Sequence, residues 1–447
     1  MKTMTALALI LASSSAAYAA NLNNESFIQQ VGDSNNAYVT QNKGNNNQAT
    51  ISIGKSNSVV SQQVGGIANQ TNNSANVQVG VANTAQITQT NGNNNQATFQ
   101  FGARNGVTTT QVSKLANGKN NSGNIQVGEF NQATTTQTNS APNPLDPNAA
   151  FQNNSMTAQF GSSTSQVTQT GGNNTQANLQ VGTGNFAFIT QHDKSVAGAN
   201  NSVASQFGDG NFVTTNQKSG DFSEFGGLVF NNGASNTSAS VQFGTDNQVK
   251  TNQTSVASAA GLGTINTSAT VQAGYGNNAT VTQGGHTHSV ADLADETNAS
   301  FVGQFGALNQ ATVTQKNGGN AQATFQTGYA NSATTTQTIP AAATGSGANN
   351  ALTAQYGVKN QATVSQALAN PLGGGNNNSL ITQVGGYNVV NAAQTTGPQQ
   401  MIGDNTQVAI QVGYMNSATV TQSAANVTNT SFTAQYGSHN IATVIQK

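Results

Sequence analysis

The chain has 447 residues, of which 6% are charged, with a net charge of −1, 48 glycines, six prolines and no cysteine. This balance offers no basic patch for nucleic acid and no field to steer a charged substrate, and it excludes a disulfide framework or a lipidated cysteine. Disordered chains are usually rich in charge or proline, whereas a polar, uncharged, glycine-rich and repetitive chain suits stacked β-structure with amide ladders.

The first element is an export signal. Lys2 supplies the positive start, residues 6–12 the apolar run, and Ala17-Tyr18-Ala19 the small-residue cleavage site. Residues 1–19 are therefore expected to be removed, leaving 20–447 as one repeat array. No later run reaches the length of a membrane helix.

From Gln30 onward one pattern recurs: Q-x-G-x-x-N-x-A-x-x-x-Q. It is clearest at Gln78, Gly80, Asn83 and Gln89, at Gln304, Gly306, Asn309 and Gln315, and at Gln411, Gly413, Asn416 and Gln422. Sixteen copies run to Gln435, and a period of 20 to 50 residues marks a solenoid or array. The Gly is present in every copy and the Asn in all but one, where Thr164 stands. Gly adopts positive φ freely and Asn is the next most tolerant, so the spacing predicts a single corner type.

Both sides of the corner alternate with period two, as strands do. Ala97, Phe99 and Phe101, then Ala239, Val241 and Phe243, and finally Val408, Ile410 and Val412 exemplify the strand before it. After it, Asn309, Ala311, Val313 and Gln315 share one face, and Gln310, Thr312 and Thr314 the other. The Ala/Val positions and the apolar columns are expected to form a thin core between two facing strands, with Thr and Gln outside. The whole is an all-β, two-sheet β-solenoid of about sixteen strand–corner–strand repeats with cross-β stacking.

All six prolines fall between copies, where no ladder needs their missing N–H. The longer insertions lie at 138–154, 218–236, 284–298 and 338–350. Most charges also lie in those linkers or in the corner, Lys250 being the clearest one inside a strand: like charges stacked at ~4.8 Å would cost roughly 1 kcal/mol in water and ~3–4 at an effective dielectric near 20. Copy six, at Gln159, has Gln169 one residue early and is expected to form a kink or soft boundary.

At this motif the sequence resembles the curlin repeat of bacterial curli, the extracellular amyloid fibres of biofilms. The resemblance covers essentially the whole array. It implies a secreted subunit that polymerises with itself, served by a nucleator subunit, periplasmic chaperones and an outer-membrane secretion channel, with the Gln and Asn columns carrying the stacking. The chain departs from the family in its large number of copies and in starting its repeats close to the cleavage site. Its first-strand apolar residues sit one and three positions before the Gln, instead of two and four. Which way that Gln faces is left open.

The one candidate metal cluster is His286 and His288 with Asp292, Asp295 and Glu296, in an insertion that no other copy repeats; a solvated loop is the preferred reading. His192 and His439 stand alone. No carboxylate pair, phosphate-binding loop or calcium-binding array recurs, so neither an enzyme nor a cofactor is expected. Six T-x-T pairs (Thr108/Thr110, Thr134/Thr136, Thr280/Thr282, Thr312/Thr314, Thr334/Thr336 and Thr419/Thr421) support an alternative, a monomeric adhesin or ice binder. Uncapped array ends favour polymerisation instead, because exposed strand edges template further strands.

Overall fold

The computed structural model describes residues 24–447, apart from 67–69, 116, 141–150, 195–197, 222–233, 257–262, 286–296, 340–346, 369–374, 397–402 and 426. Thirty strands run from β1 (Asn24–Asp33) to β30 (Ile441–Gln446) in chain order. Each turn of the solenoid, here called a rung, holds a first strand, a corner and a second strand. In rung 11 these are β19 (Thr297–Ala307) and β20 (Gln310–Lys316). Fourteen rungs are built of two strands; rungs 6 and 7 run through their corners as single strands, β11 (Gln152–Gly171) and β12 (Asn174–Asp193). All pairing is parallel, each strand meeting its counterpart one rung away, so first strands form one stack and second strands another. At the usual strand spacing the rod is ~75 Å long.

Register is locked by identity. Asn266, Gln272 and Gly274 lie against Asn298, Gln304 and Gly306, which lie against Asn320, Gln326 and Gly328. A slip of one residue would turn every side chain to the other face and break all of these columns together.

The core is not the apolar one expected. In β19 the inward side chains are Asn298, Ser300, Val302 and Gln304, while Ala299, Phe301, Gly303 and Phe305 point outward. Asn309, Ala311, Val313 and Gln315 point inward from the second strand, as their alternation indicates. The first Gln of each repeat therefore faces the core. Because a strand has period two, burying it puts the residues one and three before it, and one after it, on the outside. Ala97, Phe99 and Phe101, the matching trio at Ala239, and that at Val408 all belong to this outer face. The apolar core is a thin strip, mostly the second-strand Ala and Val such as Val59, Ala85, Ala279, Ala311 and Ala418. Polar side chains flank it.

The corner also differs in detail. Every corner Gly has positive φ, from 103° at Gly437 to 128° at Gly80. The second left-handed residue is not the Asn but its predecessor: Leu308, Lys359 and Met415 have φ of 55°, 53° and 56°. Rung 6 has no such residue. Its chain is one residue short, so Ser163, rather than Thr164, takes the Asn position, opposite Asn185 of rung 7. That shortening explains the early Gln169. No kink results at the ladders, since Gln126, Gln159 and Gln180 remain joined at 2.8 and 2.9 Å. Corner charges stack on rings instead of on each other: Arg104 lies 5.2 Å from the Phe130 ring centre and Lys359 5.3 Å from that of Tyr387. Lys250, in the second stack, lies between Thr214 and Thr280.

Candidate functional site: four amide ladders

The chemistry-bearing side chains are gathered into columns that run along the rod. In the second-strand Gln column, Gln41 donates from Nε2 to Gln63 Oε1, and the pattern continues without a break to Gln446, at 2.7–2.9 Å. Gln89, Gln315 and Gln422 are members. The first-strand Gln column is unbroken from Gln78 through Gln304 and Gln411 to Gln435, at 2.7–3.0 Å. In rung 2 its place is taken by Ser52, whose hydroxyl donates to Gln78 at 3.4 Å.

The second hydrogen of each amide reaches across the core. Gln304 donates to the Asn278 carbonyl at 3.0 Å and Gln315 to that of Ala299 at 2.8 Å. Each Gln thus ties its rung to the next and one stack to the other. A buried primary amide is costly unless its donors are used, and here both are.

The corner Asn column spans two levels. Asn309 donates from Nδ2 to Asn277 Oδ1 at 3.0 Å and to the Gly328 carbonyl at 3.1 Å, and its Oδ1 accepts from Asn331 at 3.0 Å. Asn83 and Asn416 make the same set. The column runs from Asn35 to Asn440 and is altered only at rung 6, where the Ser163 backbone N–H donates to Asn131 Oδ1 at 3.1 Å. Beside it the corner glycines have no room for a side chain: a Cβ on Gly80, Gly306 or Gly413 would stand 1.9, 2.2 or 1.9 Å from the carbonyl oxygen of the next rung's Gly. Backbone conformation and close approach both demand glycine there.

A fourth ladder was not read from the motif. Asn24, Asn46, Asn72 and twelve more lead to Asn429, one per rung, joined at 2.7–3.2 Å. The signal was available: an Asn stands six residues before the first-strand Gln in every copy. The Gln ladders donate toward the C-terminal end and the Asn ladders toward the N-terminal end, so their dipoles oppose.

Of the other candidate residues, His286, His288, Asp292, Asp295 and Glu296 lie outside the described residues. The T-x-T pairs point outward from the second stack, and those at Thr280, Thr312 and Thr334 occupy three consecutive rungs in register. Near the corner of rung 8, Asp209 accepts from the Thr183 hydroxyl and backbone N–H at 2.7 and 3.0 Å, which hold its carboxyl below its usual 3.8. Among the described residues no three His, Asp or Glu gather at metal-binding distance.

A parallel β-solenoid whose repeated Gln and Asn side chains serve lattice contacts defines a class of structural protein. Within that class the family described as curlin associated repeat matches residues 23–52, and its motif recurs over sixteen rungs, which is consistent with a curlin-repeat protein. Among curated proteins no sequence matches it. Fold and repeat together fit a curli-like structural subunit, a family associated with extracellular curli fibres.

Proposed function

We propose that the chain is a secreted subunit that adds end to end into extracellular amyloid fibres of the biofilm matrix and cell surface, each copy continuing the four ladders of the last. The observation that carries this reading is that each ladder hands a hydrogen bond from every rung to the next, so that one rung is bonded in the same way as any other. Gln435 and Gln446 accept from Gln411 and Gln422 and donate to the Ser417 and Thr430 carbonyls. Their remaining hydrogens match those that interior Gln residues give to the next rung. A Cβ on Gly437 would meet nothing nearer than Asn440 Nδ2 at 3.8 Å, whereas in the preceding rungs the next Gly carbonyl fills that space. Such an edge templates another copy. A nucleator subunit, periplasmic chaperones and an outer-membrane secretion channel are proposed as partners on the strength of the family.

The test replaces Gln435 and Gln446 together with Glu. Each Glu still accepts from the rung below but has no hydrogen to offer the next copy at neutral pH. Folded monomer should persist by circular dichroism, while thioflavin-T growth slows at least tenfold. At a pH low enough to protonate both carboxyls, growth should recover. Unchanged growth at neutral pH would count against end-to-end addition through these ladders.

A second reading attaches to the three-rung Thr block at Thr280–Thr336: a flat outward T-x-T array able to bind ice or another ordered surface. It ranks second because the block covers three of sixteen rungs. Thermal hysteresis of the monomer tests it, and its absence removes it.

A further inference from the structure

Most of the outward face of the first-strand stack has no role in the four buried ladders, and its chemistry is unlike that of the rest of the surface. Beside a column of mostly Asn and Thr five before the first-strand Gln, where Asn47, Asn73, Asn95, Asn121 and Asn154 form an outer ladder, run three more columns, at three before, one before and one after that Gln. Over sixteen rungs none of the residues in these three columns is charged, and the only polar side chains among them are Gln29, Ser205, Thr327 and Thr382. Large members are substantially exposed: Met156 by 53%, Phe243 and Tyr356 by 46% each. The opposite face of the rod carries mostly Thr, Gln, Asn and Ser, with Lys250, and apolar side chains at scattered places such as Tyr38, Val60, Phe186 and Phe212.

Three alternating residues span ~14 Å along a strand, so with a ~75 Å stack the face covers roughly 1,000 Å². The largest apolar patch on an ordinary monomer is about 300–600 Å². A stable interface needs about 800 Å² per partner, which this face exceeds.

The relief of the face selects the occupant. Its ridges repeat once per rung, and a shallow trough of about 460 Å³ runs across six of them, where Ala321 and Ala323 lie beside Phe301, Leu352, Leu380 and Val408. A partner that engages every rung must itself repeat at the strand spacing and be apolar and uncharged. A second copy of this chain meets all three conditions.

We infer that two solenoids pair side by side through their first-strand faces, as two β-sheets pack ~10 Å apart in a sandwich. The polar second-strand stacks then lie outermost, and the isologous contact closes at two copies. This pairing is lateral and does not rest on end-to-end growth, so the two readings can fail separately.

The experiment measures mass in two settings. Sedimentation equilibrium of the full purified chain before any fibre forms should give twice the 45.4 kDa chain mass. Scanning transmission microscopy of fibres should give two chains per ~75 Å of length. The quadruple variant Phe301→Thr, Phe325→Thr, Leu352→Thr, Leu380→Thr changes outward positions only and keeps β-propensity. It should retain the wild-type circular dichroism spectrum, weaken the pair at least tenfold and halve the fibre mass per length. A control on the opposite face, Thr312→Ser with Thr334→Ser, should change neither. A wild-type chain that sediments as a single copy and gives single-chain fibres overturns the proposal, as does a quadruple variant that still pairs. Single copies that instead float with neutral phosphatidylcholine vesicles would also overturn it and assign the face to lipid. If no fibre ever forms, the fibre reading falls while the solution mass still decides the pairing.

Discussion

Gln304 shows what one residue does in this lattice. It accepts from Gln272 at 2.7 Å, donates to Gln326 at 2.8 Å and donates across the core to Asn278 at 3.0 Å. Gln304→Ala removes these bonds and strands a donor and two acceptors in a site that is 0% exposed. At ~1–3 kcal/mol for each buried unsatisfied group, the loss should be about 3–5 kcal/mol, read as a lower urea midpoint. Leu308 makes the opposite prediction. It holds φ of 55° with its side chain largely exposed, so Leu308→Gly relieves a left-handed penalty of ~1–2 kcal/mol, less the entropy glycine adds to the unfolded chain. A net gain of about 0.5–1 kcal/mol is expected, and a clear loss would mean that the Leu308 contacts outweigh its strain.

At the scale of the strand, the pattern of polar and apolar residues is inverted on one stack and ordinary on the other. The second strand was legible: Ala311 and Val313 alternate with Thr312 and Thr314, and the apolar pair is buried. The first strand was not. Its apolar residues resemble core positions, and hydrophobicity alone gives no reason to turn Phe301 outward and Gln304 inward. What decides it is the lattice, because a Gln whose donors are all met is admissible in the core, and the pleat then sends its neighbours outward. The upstream Asn, six residues before the Gln, gave the same parity and would have settled the direction. The corner was legible as Gly plus Asn, but the left-handed residue before the Asn carries no type preference to read: Leu308, Lys359 and Met415 share the role. The inward polar positions are not all satisfied. Thr270 Oγ1 is buried without a partner, between Ser240 and Val302 in register. Thr270→Val keeps the shape and removes the unpaired hydroxyl, so it should stabilise the chain by about 1 kcal/mol in urea unfolding.

Across the whole molecule, the rod is a one-dimensional crystal of rungs that touch only their neighbours, which sets how defects spread. A lesion such as Gln304→Ala should open the rungs around it and leave distant ones protected from hydrogen exchange. The insertions tolerated between copies follow from the same geometry, since loop closure grows slowly with length while each corner is pinned by the Gly and Asn columns. Function at this scale rests on whether the ladders continue from one copy to the next. Diffraction from aligned fibres of the purified chain tests that most directly. The account predicts a sharp meridional reflection at ~4.7–4.8 Å, from strands perpendicular to the fibre axis in an unbroken stack. A chain that stays dispersed under all growth conditions, or fibres without that meridional reflection, would contradict it.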